Sequence, residues 1–138
     1  MADPVSAASG LLTLVVFALD SGKALYQLVQ SFQNNQRIVR ELRQELEALN
    51  GVLQSLHEAV TTSDADFVAL KLPLHQCGKA CGEFTEMIGK CTAHSGGTRT
   101  SIRDWAKLKY MGDDINGFKN MLAGYKSTII IALGDANM

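Results

Sequence analysis

Proline is nearly absent from this sequence, with only Pro4 and Pro73 in 138 residues, and nowhere do apolar and polar residues alternate between turn residues. The first scarcity leaves long stretches free to be helical, and the second argues against a β-sheet. Excess charge is missing too: 13 basic and 14 acidic side chains give a formal net charge of -1. Without a net positive field to attract a phosphate backbone, no nucleic acid partner is expected. The opening MADPVS lacks the basic residues that start a secretory signal, and Asp3 puts a negative charge in their place. Cysteine is sparse and odd in number, with Cys77, Cys81 and Cys91 in one segment. That set does not supply the paired framework of a small secreted domain and fits a reducing, cytoplasmic compartment.

What the chain does have is helical periodicity, in four segments. The first is expected over about 4–32, with Asp3 as its cap and Pro4 at its first position, and Asn34 and Asn35 then mark a turn. The second, about 35–61, places Ile38, Leu42, Leu46, Leu49, Leu53, Leu56 and Val60 at steps of three or four. Arginines and glutamates fall between them, with Glu41 in helical reach of Arg37, and read as a solvated face. The third runs over about 64–94, with a fresh cap at Thr62 or Ser63 and a break near Pro73. Its stripe is Leu74, Cys77, Cys81, Phe84, Ile88 and Cys91. The fourth spans about 101–133, opening at Ser101 with Asp104 as capping partner, and carries Trp105, Leu108, Met111, Ile115, Phe118, Leu122, Tyr125, Ile129 and Ala132. Four one-striped helices joined by short connections predict an all-α, antiparallel four-helix bundle, one domain over 1–138, whose core is built from these stripes. Gly78 and Gly82, one turn apart, form a small-residue face that lets a neighbouring helix come close, or are plain glycines tolerated in a well-packed helix.

Groups for catalysis are not brought together by this pattern. Cys77, Cys81, Cys91 and His94 are zinc-ligand types, yet the cysteines sit in the apolar seam and read as core, so no metal is expected. His57, His75 and His94 are scattered, and no serine or cysteine stands in a nucleophile context. The glycines of HSGGT lack the strand and lysine of a phosphate loop. Asp113 and Asp114 are adjacent, so they diverge on a helix. A non-enzyme without cofactor is expected.

The opening helix is the exception to this ordinary composition. From Pro4 to Gln36 its only charges are Asp20 and Lys23, three apart and able to neutralise each other in part. The uncharged run from Pro4 to Leu19 is about 24 Å of helix, short of the roughly 20 residues a stable span needs. Leu11, Leu12, Leu14, Val15, Val16, Phe17 and Leu19 nevertheless surround the helix, more than one packing face requires. We therefore expect an outward surface at Leu12, Val16 and Leu19 that a membrane or a partner covers.

Three stretches then carry a resemblance: MADPVSAASGLLTLVVFALDSGKALYQLV, LPLHQCGKACGEFTEMIGKC and, most specifically, SIRDWAKLKYMGDDINGFKNMLAGYKSTIIIAL. They resemble, over essentially the whole chain, the fungal HeLo-like N-terminal domain, also described as the N-terminal domain of fungal STAND (NLR-like) proteins and of an azaphilone pigment cluster protein. The chain is also similar to the HeLo domain of fungal incompatibility proteins and, more remotely, to the four-helix executioner domain of mixed-lineage kinase-like pseudokinase. The resemblance implies a helical bundle in front of further domains of the same chain. It also implies programmed cell death by self-oligomerisation and attack on membrane lipid. In this sequence that role would fall on Leu11, Leu12, Leu14, Val15, Val16, Phe17 and Leu19, in a cytoplasmic protein that becomes membrane-associated when activated. An adaptor or homo-oligomerisation module using the same surface is the alternative.

Overall fold

A computed structural model describes residues 4–31, 37–62, 67–92 and 112–136. The described residues are helical almost throughout: α1 Pro4–Gln30, α2 Arg37–Thr62, a single 3-10 turn Val68–Leu70, α3 Lys71–Thr92 and α4 Gly112–Ala136. Residues 101–111 of the expected fourth helix, with Trp105 and Leu108, lie outside the described residues, as do Asp3 and His94.

The helix ends follow from local hydrogen bonding. Ser31 closes α1: its N–H donates to the carbonyls of Gln27 and Leu28 at 3.1 and 3.2 Å, and its hydroxyl donates to Leu28 O at 2.6 Å. Carbonyls at a helix end lack intrahelical donors, and a serine that folds back supplies them. Thr61 and Thr62 both donate to Glu58 O, at 2.9 and 2.7 Å. Thr62 therefore ends α2, where a cap for the next helix was expected. The break near Pro73 falls just before it, between Leu70 and Lys71, which leaves Pro73 in the first turn of α3. There its missing N–H costs nothing, because no carbonyl precedes it in the helix to receive one.

The six residues 31–36 can bridge roughly 20 Å, half of the roughly 40 Å length of α1, so α2 must reverse direction to pack along α1. The α1 helix also lies directly beside α3: Lys71 Nζ reaches Gly10, and seven residues on in both helices the Phe17 ring covers Gly78. The two run the same way. Two ion pairs, Lys119 to Glu41 at 2.6 Å and Lys126 to Glu45 at 2.9 Å, tie α4 alongside α2 in a second co-directional pair. Successive helices alternate in direction as expected, yet α1 is the helix shared between α2 and α3, while α3 meets α4 along a thin seam. At that seam Phe84 and Phe118 stack with centroids 4.2 Å apart and planes at 9°.

The core follows the stripes, with two differences in α2: Val39, off the expected stripe, is buried, and Val60 is half-buried. Val39, Leu42, Leu46, Leu49, Leu53 and Leu56 of α2 are buried, as are Leu74, Cys77, Cys81, Phe84 and Ile88 of α3 and Ile115, Phe118, Leu122 and Ile129 of α4. Tyr125 is half-buried against them. The α2 charges do more than face water. Glu41 takes Arg37 at 2.8 Å within its own helix and Lys119 from α4, and Glu45 holds Lys126 with both side chains largely covered.

The hydrogen bonds from Lys119 and then Arg37 hold the Glu41 carboxyl below the usual carboxylate range. A carboxyl whose folded pKa lies below its unfolded value adds stability above the unfolded value and loses it as pH falls through the folded one. Glu41→Gln should therefore be less stable than wild type at neutral pH, with the difference shrinking as acid protonates Glu41. Urea unfolding at neutral pH and at about pH 3 tests this; a gap that stays constant with pH would show that the pair contributes no charge-dependent stability.

Candidate functional site on the first helix

The face that α1 turns inward is Leu11, Val15, Ala18, Gly22, Leu25 and Val29, at steps of four, three, four, three and four, with Leu19 buried beside Ala18. Gly22 lies against the carboxamide of Asn50 on α2, which a methyl at that position would push aside. Opposite this line lie the exposed Thr13, Val16, Phe17, Asp20, Lys23, Ala24 and Gln27. Leu12 and Leu14 are half-buried on the flanks.

The expected surface set is thus divided. Leu11, Val15 and Leu19 are core residues, 6%, 0% and 6% exposed, and the outward position expected for Leu19 is wrong. Val16 and Phe17 are the members that reach solvent, at 38% and 39%. Asp20 and Lys23, expected to neutralise each other, both stand on the exposed face and form no ion pair among the described residues. In water a pair of solvated charges gains little from contact.

Phe17 is held on one side. Its ring lies on the bare backbone of Gly78 and near the ring of exposed His75, with centroids 6.2 Å apart and planes at 31°. Gly78 is the member of the glycine pair that admits a neighbour, and nothing lies within 4 Å of a methyl built at Gly82.

By length and composition the 21 residues Gly10–Gln30 could cross a bilayer, and 33% of that stretch is buried in the bundle. The shortfall expected from the sequence counted only the uncharged run to Leu19. Asp20 and Lys23 are two charges that a longer window tolerates. The core helix of a soluble protein meets the same criterion.

Elsewhere the chemistry is sparse. A pocket of about 270 Å³ between α3 and α4 is lined by Ala80, Glu83, Phe84, Met87, Phe118 and Met121, and its residue pattern was not read from the sequence. Neither His57 nor His75, the described histidines, lines it. Cys77 and Cys81 are free and buried, and the hydrogen bond to Cys77, reinforced by burial, holds the Cys81 thiol well above its ordinary range. A thiol kept protonated in this way is a packing group. Among the described residues no three histidine, cysteine or acidic side chains converge as metal ligands do.

An all-α bundle domain with an unusually apolar first helix is the class that this arrangement defines. The chain belongs to the family described as pigment biosynthesis cluster protein PigL N-terminal, whose model matches residues 2–138. No curated protein and no solved structure matched the chain.

Proposed function

We propose that this domain is a non-enzymatic effector module of a larger fungal NLR-like protein. Held as a soluble bundle in the cytoplasm, it is clustered with other copies when the rest of its chain is triggered, and then presents α1 to membrane lipid, leading to cell death. The observation that carries this reading is the exposure of Val16 and Phe17 on a helix whose Gly10–Gln30 segment could cross a bilayer. The HeLo-like resemblance supports the same direction.

Release of α1 is demanding in the resting state. Five large inward side chains, Leu11, Val15, Leu19, Leu25 and Val29, at roughly 1.5–3 kcal/mol each amount to on the order of 10 kcal/mol, similar to the whole stability of an ordinary domain. Clustering or lipid must offset that sum, so a monomer in solution keeps α1 docked.

A bundle fused to an oligomerising scaffold should leak dye from phospholipid vesicles, and Val16→Glu should remove that leakage while the fold persists. Undiminished leakage by folded Val16→Glu would refute the membrane reading. The alternative, an adaptor that pairs through the same face without touching lipid, is favoured by a folded, dimeric protein that never associates with vesicles.

A further inference from the structure

We infer that the seat of Phe17 on Gly78 is the catch that fixes the apolar segment of α1 against α3, and that withdrawing the ring is the step that frees this segment. The inference rests on the reading above that α1 is the active element. Three observations meet at this contact. Gly78 is buried, and a methyl added there would collide with three ring atoms of Phe17, so the ring fits only because the side chain is absent. The outer side of Phe17 stays 39% exposed, so a membrane or a second protein can engage the ring while it still sits in place. The contact lies one turn or less from Leu14, Val15, Ala18 and Leu19, the stretch whose exposure matters. A glycine inside a helix costs about 1 kcal/mol relative to alanine, and Gly78 returns that through the ring it admits.

The same cost supplies the test, because alanine has opposite effects at the two glycines of the pair. At Gly82, where space is open, Gly82→Ala should improve the helix and leave exchange of the α1 amides unaccelerated. At Gly78 the added methyl must displace the ring, and hydrogen exchange of amides 11–19 should speed by about tenfold. Placed in a Phe17→Ala background, Gly78→Ala should no longer accelerate exchange. Phe17→Ala alone, which leaves an empty seat and a foldable chain, should itself accelerate exchange at 11–19. The inference is overturned if Gly78→Ala gives the same change with and without Phe17, or if Phe17→Ala leaves those amides as protected as before. Binding to phosphatidylcholine vesicles is measured on the same proteins. Faster exchange with stronger vesicle binding supports both the catch and the membrane reading. Faster exchange with unchanged binding supports the catch and overturns the membrane reading alone.

Discussion

Leu53→Ala lowers the unfolding free energy by about 2–5 kcal/mol, visible as a lower urea midpoint at unchanged slope. Leu53 is fully buried near the middle of α2, the helix packed against both α1 and α4. Removing its branched end leaves a void in the core cluster, and rigid helices cannot collapse far enough to refill the space. A loss of this size is a large part of the 5–15 kcal/mol typical of a domain, so the melting temperature should fall by about 10 °C. Leu72→Ala provides the contrast: Leu72 is 64% exposed at the start of α3, and its truncation should stay within about 0.5 kcal/mol of neutral. Equal losses at Leu53 and Leu72 would contradict the placement of the core.

Two neighbouring residues of α1 yield the second large effect. Val15→Glu abolishes the native fold, whereas Val16→Glu keeps it. The first puts an acid where the side chain has no exposure at all and no cation within the apolar stripe, and either a buried charge or a protonated acid must be accommodated at several kcal/mol. The second places the same group on a face that already carries Asp20 and Lys23 in water. Near-ultraviolet circular dichroism and a thermal scan of both variants decide the matter. A cooperative, wild-type-like melt for Val15→Glu would mean that α1 is docked by another face. The pair also separates folding from function, since Val16→Glu is the variant expected to lose vesicle leakage while remaining intact.

The stripes of α2 and α3 are legible because each alternates apolar and polar positions at helical spacing, so the sequence itself says which way each residue points. In α1 that contrast is weak. With apolar residues on every side, its rotation is set by what α2 and α3 offer, and Leu19 was assigned outward when it is buried. A signal was available nonetheless: Thr13, Asp20, Lys23 and Gln27 are polar positions in the middle of the helix that share one face, and Val16 lies among them with Phe17 at its edge. The carboxylates of α2 misled for a different reason. A regular Arg and Glu pattern explains itself by contacts within the helix, and the partners that matter, Lys119 and Lys126, lie more than seventy residues away. The glycine pair was noticed, but sequence spacing cannot say that Phe17 uses Gly78 and leaves Gly82 open.

The position of α1 between α2 and α3 makes it a keystone. Lift it out, and among the described residues α2 stays bound to α4 by their packed faces and two ion pairs, while α3 meets α4 along a thin seam that holds one pair of stacked rings. Departure of the first helix would therefore amount to dismantling the domain, because α1 is the element that joins α2 to α3.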